Sequence, residues 1–96
     1  MIYKLHFTAL SDKEWRKLDS SIRELFKKKL AERLKQPRVE SSRLHDLPDC
    51  YKIKLKQSGY RLVYQVLDEL IVVKVVAIGK RDKNAVYLIA QTRLHQ

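Results

Sequence analysis

A single cysteine, Cys50, stands in these 96 residues. It leaves no internal disulfide to form, and fits a reducing cytoplasm better than secretion. Glycine and proline are nearly as scarce, at 2 each, which argues against a disordered tail or a linker array. Acids are short too: 11 Asp and Glu face 21 Lys and Arg, for a net charge of +10. That imbalance says nothing about fold, but it favours nucleic acid, acidic protein or anionic membrane as partner. Membrane is the weakest of the three. The longest apolar stretches, Leu70–Val73 and Val75–Ile78, fall far below the roughly 20 residues a bilayer span needs. The first residues also lack a basic segment leading into an apolar one, so no secretory leader is expected.

What is present describes a compact globule, 45% hydrophobic and 33% charged, with one domain expected over residues 1–96. A chain this size buries roughly two-thirds of its unfolded surface. Residues 2–8 alternate as a short strand, with Ile2, Lys4 and His6 against Tyr3, Leu5 and Phe7. Ser11 with Glu14, and Ser21 with Glu24, read as capping boxes for two helices, with Asp19 and Ser20 as further cap candidates. Trp15 and Leu18 belong to the first, short helix. Ile22, Leu25, Phe26, Leu30 and Leu34 recur at helical spacing in the second, whose other face carries Arg23, Lys27, Lys28, Arg33 and Lys35. Pro37 ends it, and residues 38–48 read as a loop.

Three strands follow: about Cys50 to Lys56, Tyr60 to about Leu67, and Leu70 to Ile78. The turns between them are Gln57-Ser58-Gly59 and Asp68-Glu69. The third strand is almost continuous Val, Ile and Leu, which predicts burial on both faces in mid-sheet. A charged loop, Lys80 to Asn84, leads into a final helix lined by Ala85, Leu88, Ile89 and Thr92. The expected fold class is therefore α+β, a small antiparallel-dominated sheet in the order β-α-α-β-β-β-α.

Cations concentrate in the last three strands and beyond them: Lys52, Lys54 and Lys56, then Arg61, then Lys80 and Arg81, with Tyr87 close behind. A two-residue Ser58-Gly59 turn would set Lys56 opposite Arg61, Lys54 opposite Val63 and Lys52 opposite Gln65. Lys52, Lys54, Lys56 and Arg61 would then share one sheet face, and Ile53, Leu55, Leu62 and Tyr64 the core face. Any single lysine there reads as solvated surface. Four like charges without an acid among them repel one another, and together with Arg81 they read as an anion site.

Familiar catalytic constellations are missing. His6, His45 and His95 are scattered, and no metal-ligand spacing, phosphate loop, nucleophile elbow or acidic pair among the strands can be found. Neither metal nor cofactor is expected. One chemistry survives: RNA carries its own nucleophile, the 2′-hydroxyl, so a protein need only align it, stabilise an anionic phosphorane and move two protons. Lys and Arg suit the charge. Tyr or Lys could move protons, although their ordinary values of about 10 and about 10.4 make them poor bases unless crowded cations lower them.

The residues also match a known pattern. Lys13-Glu14-Trp15-Arg16-Lys17-Leu18, Pro48-Asp49-Cys50-Tyr51-Lys52-Ile53-Lys54-Leu55, Ser58-Gly59-Tyr60-Arg61-Leu62-Val63-Tyr64-Gln65-Val66 and Gly79-Lys80-Arg81 with Tyr87 together resemble RelE-type toxins. These are the ribosome-dependent endoribonucleases of bacterial toxin–antitoxin pairs, and the resemblance spans essentially the whole chain. It implies that Arg61 and Lys52 stabilise charge on the scissile phosphate and that Arg81 holds or protonates the leaving 5′-oxygen. Tyr87 and Lys54 would share acid and base duties. Lys27, Lys28 and Lys35 on the second helix, with Lys56, Lys80 and His45, would contact RNA; His45 stands where some relatives carry Arg. The implied partners are an acidic, RelB-like antitoxin, the ribosome with its rRNA and mRNA, and operator DNA reached through the antitoxin. Two other readings stay open: a gyrase-poisoning ParE-like toxin, which would lack the ribonuclease cations, and a non-catalytic RNA- or ribosome-binding module, which would not need Tyr87.

Overall fold

The computed structural model describes residues 2–80, 82 and 84–95. Strand β1 (Lys4–Phe7) leads into helices α1 (Ala9–Arg16) and α2 (Ser20–Lys35). Strands β2 (Cys50–Lys54), β3 (Tyr60–Leu67) and β4 (Val72–Lys80) follow, and helix α3 (Ala85–Leu94) comes last. The element order is the expected one. The sheet runs β1-β4-β3-β2, with β1 parallel to β4 and the other pairs antiparallel. The apolar strand β4 does lie mid-sheet. No helix among the described residues is long and apolar enough to cross a membrane.

Each face of the sheet is packed. On one, Phe26 and Leu30 of α2 meet Tyr51, Ile53, Leu62, Tyr64, Val73 and Val75, with Trp15 at the margin. On the other, Val86 and Ala90 of α3 cover Cys50, Val63, Val76 and Ala77, with Leu47. The face expected to be a bare cation surface is thus half covered. The packed stripe of α3 is Val86 and Ala90, with Tyr87 and Leu94 half-buried, whereas Leu88 and Ile89 point outward at 60% and 41% exposure.

A register shift between β3 and β4 explains how both cores are fed from one strand. Val63 pairs Ala77 but Tyr64 pairs Val75, leaving Val76 as the extra residue. Such a bulge reverses the alternation beyond it: Ile78 joins the α1–α2 core, Ala77 turns to α3, and Gly79 comes under Val86.

Three local expectations need correction. Helix α1 is capped by Thr8, whose hydroxyl accepts from the Ser11 amide while Ser11 Oγ accepts from the Thr8 amide. Ser11 is therefore the inner member of that box, and Glu14 is free for another task. Helix α2 starts at Ser20 after Asp19, without a side-chain cap bond, so Ser21–Glu24 is no box either. Glu24 instead pairs with Lys27. Finally, the β2–β3 turn is four residues long: Leu55 and Tyr60 close it, and Gly59 at φ 79° makes the left-handed step that only glycine takes without strain. Register becomes Lys54 opposite Arg61 and Lys52 opposite Val63. The slip is two residues, so every side chain keeps its expected face, but Lys56 leaves the strand for the turn.

Cys50 is completely buried in the second core. Burial, reinforced by Asp49, pushes its thiol from 9.0 up to about 12. In the folded protein it should resist iodoacetamide at pH 8 and react only after denaturation, as mass spectrometry of the alkylated chain would report. The sign for stability is fixed as well. Above 9.0 the unfolded chain gains a thiolate that the folded chain does not, so stability falls as pH rises from 9.0 toward about 12.

Candidate active site

The cation set assembles where α3 stops covering the sheet. Lys54 and Arg61 oppose each other directly across β2 and β3, and Lys52 lies two residues further along the same face. Directly opposed side chains in such a pair sit about 5 Å apart at Cβ. Lys54, Lys56 and Arg61, together with Gly59 and Tyr60, line a shallow hollow of about 230 Å³, room enough for a phosphate group. Neither Lys52 nor Arg61 forms an ion pair among the described residues.

Tyr87 enters this face from the first turn of α3. Arg61 Nη1 donates to the Tyr87 hydroxyl at 3.1 Å, and the guanidinium carbon stands 6.0 Å from the ring centroid. The same guanidinium fork can turn toward a phosphate. Four of the five expected catalytic residues therefore come together from β2, β3 and α3. The fifth, Arg81, lies outside the described residues.

Tyr87 also forms part of the wall of a half-open cavity of about 300 Å³, shared with His45, Asp46, Asn84 and Gln91. His45, placed by sequence in a loop, thus comes beside the candidate site. The remaining RNA-contact candidates are dispersed. Lys27, Lys28 and Lys35 are exposed on α2, across the sheet from Tyr87, and Lys27 is engaged with Glu24 at 3.2 Å. Lys80 is turned to Tyr60, its Nζ 5.5 Å from the ring centroid. Tyr60 alternates with Arg61, so Lys80 lies toward the opposite face from the cluster.

Two arginines supporting the site had not been singled out. Arg33, assigned by sequence to the solvated side of α2, points inward. Its Nη1 donates to the Lys52 carbonyl at 3.2 Å and to the Tyr64 hydroxyl at 2.8 Å, and Nη2 donates to Ser42 at 3.2 Å. Its position seven residues after Phe26 and three after Leu30 puts it on the core stripe, a signal present in the sequence. Arg38 ties three segments together, reaching Asp49 at 3.1 Å, Tyr51 at 3.2 Å and Asp68 at 2.6 Å. Tyr3 donates to the same Asp68, and these hydrogen bonds hold that carboxylate below its usual range. Among the described residues, no group of three His, Cys, Asp or Glu could hold a metal ion.

Residues 5–85 match the family described as ParE toxin of type II toxin–antitoxin system, parDE. The chain is 55% identical over 94 residues to the mRNA interferase toxin RelE of Escherichia coli strain K12, covering 98% of this chain and 99% of that one. The mRNA interferase RelE of Shigella flexneri matches to the same extent. Among solved structures, a free-state mutant of E. coli toxin RelE superposes with a TM-score of 0.90 at 54% identity, covering 98% of this chain and 99% of that chain. The toxin in the intact E. coli RelBE toxin–antitoxin complex superposes at 0.82 and 57% identity, covering 84% of this chain and 99% of that chain.

Proposed function

Since this chain belongs to the RelE/ParE family of type II toxin–antitoxin toxins, we propose that it is an mRNA interferase, which cuts messenger RNA in the ribosomal A site and so stops translation. The observation that carries this reading is the contact of Arg61 with Tyr87 at 3.1 Å beside Lys54 and Lys52. A gyrase poison has no use for that set, and a passive binding module needs no phenol within it.

The reaction needs only groups at hand. The 2′-oxygen attacks the adjacent phosphorus, the phosphorus–5′-oxygen bond breaks, and the products are a 2′,3′-cyclic phosphate and a 5′-hydroxyl. Arg61 and Lys52 neutralise the extra charge on the phosphorane, which counts most where water is partly excluded. Tyr87 and Lys54 share removal of the 2′-hydroxyl proton and its return to the leaving oxygen, with Arg81 beside that oxygen. The reaction asks for no metal. Lys27, Lys28 and Lys35 meet rRNA phosphates, which position the toxin without reading sequence. His45 and Lys56, flanking the site, contact the messenger.

The chain acts as one unit over residues 1–96, in the cytoplasm where ribosomes are. An acidic antitoxin of the RelB kind neutralises it and carries the complex to operator DNA. The test is primer extension on a defined messenger, with and without ribosomes, in EDTA low enough to spare them. Cuts confined to decoding-site codons and present only with ribosomes are expected. Growth arrest on expression with no cuts in either condition would instead indicate a gyrase poison or a binding module.

A further inference from the structure

Helix α3 carries Tyr87, yet little fixes it. Of its ten residues only Val86 and Ala90 are buried, both small. Its first residue follows Asn84, which sits in the left-handed region at φ 63° and makes no side-chain cap bond. What does anchor it is Arg93. Its fork closes on Glu14 of α1 at 2.9 Å and 3.0 Å, and Nη1 also donates to the Val76 carbonyl at 2.8 Å. Glu14 in turn accepts from the Ile78 amide at 3.0 Å.

The place of this grip matters. Strand β1 pairs only as far as Val75, and the β3–β4 register shifts at Val76. In this stretch three backbone groups of β4 are served by side chains: the Val75 carbonyl by Ser11 at 2.7 Å, the Val76 carbonyl by Arg93 and the Ile78 amide by Glu14. One residue on, Gly79 pairs Arg61 itself. The clamp and the catalytic arginine are thus referenced to one strand. With side chains 17% and 26% exposed, the pair is sheltered, forked and hydrogen-bonded, unlike the isolated surface pairs that contribute little.

We propose that Glu14 and Arg93 are positioning residues for cleavage: they clamp α3 to the β4 bulge and so hold the Tyr87 hydroxyl against Arg61. Tyr87 lies six residues before Arg93, about 9 Å along the helix axis, so slack at the clamp displaces the phenol. The inference rests on the catalytic reading of Tyr87 above.

Arg93→Ala should lower kcat on saturating programmed ribosomes by about 10- to 100-fold and leave KM unchanged. Arg93→Lys, which keeps the charge and one donor to each acceptor, should fall between wild type and Arg93→Ala. Combining it with Glu14→Gln should cost no more than the worse single change, since both break one pair. In a Tyr87→Phe background Arg93→Ala should add nothing, whereas a stabilising role alone would give the same fold-loss in both backgrounds. Hydrogen exchange gives a readout independent of cleavage: amides of α3 should exchange faster in Arg93→Ala and Arg93→Lys while those of β3 and β4 keep their protection. Unchanged exchange in α3, an unchanged kcat, or a rise in KM instead would each overturn the clamp. A wild-type protein that failed to cut messenger would reject the enzymatic reading, and α3 exchange would still judge the clamp.

Discussion

Tyr87→Phe should slow messenger cleavage by about 10²- to 10⁴-fold, the range lost with a general acid or base, and leave ribosome binding at wild-type strength. The ring is half-buried against the α3-side core, and phenylalanine keeps that packing. Only the hydroxyl goes, and among the described residues its hydrogen bond comes from Arg61. Single-turnover primer extension measures the first quantity and co-sedimentation with ribosomes the second. Cleavage within about 3-fold of wild type, too little for acid–base loss, would remove Tyr87 from the chemistry and favour the binding-module reading. Lost binding with normal cleavage per bound toxin would make it an anchoring residue instead.

Arg61→Ala should cost about 10²- to 10³-fold, the scale of removing one preorganised donor from a developing oxyanion. Arg61→Lys should recover only part, because an ammonium cannot offer a forked pair of N–H groups to two phosphate oxygens. The contact between Arg61 and Tyr87 adds a constraint. Residues that touch and act in one step are non-additive, so the double variant should lose clearly less than the product of the two single losses. Strict multiplication would mean that the 3.1 Å contact is incidental to the reaction. Normal activity in Arg61→Ala would leave the charge on that phosphate to the lysines, Lys52 and Lys54 with Lys56 at the hollow.

The cation cluster was legible because strand alternation is robust. Lys52, Lys54 and Arg61 share one face with either turn length, since a four-residue connection in place of two moves register by two. Lys56 does not, because the added residues came out of the strand end. The core stripe of α2 was equally readable at Phe26 and Leu30, but Arg33 on that stripe was read by its charge instead of its spacing. Helix α3 was harder. Its outer residues Leu88 and Ile89 are as apolar as its inner ones, so periodicity gives no direction there. The capping boxes failed for a different reason. Serine and glutamate three apart suit a helix start equally well wherever they occur, and nothing local reveals that Glu14 answers a strand and an arginine at the far end of the chain. Nor does sequence reveal the bulge at Val76, which depends on pairing with β3.

The parallel pairing of β1 with β4 sets the order in which this protein comes into being. The first strand, Lys4–Phe7, has its partner in Val72–Val75, and Glu14 finds Arg93 79 residues later. During synthesis the amino-terminal strand and both early helices must wait, unpaired on this side, until the last segments emerge, and contacts so distant in sequence form late. Tyr87 and Arg93 both follow β4 in the chain, so neither can take its place before that strand is made. Until β4 and α3 are made and packed, the site proposed to act on messenger cannot exist. Before the sheet closes, a newly made copy has none of these long-range contacts and so lacks the assembled site.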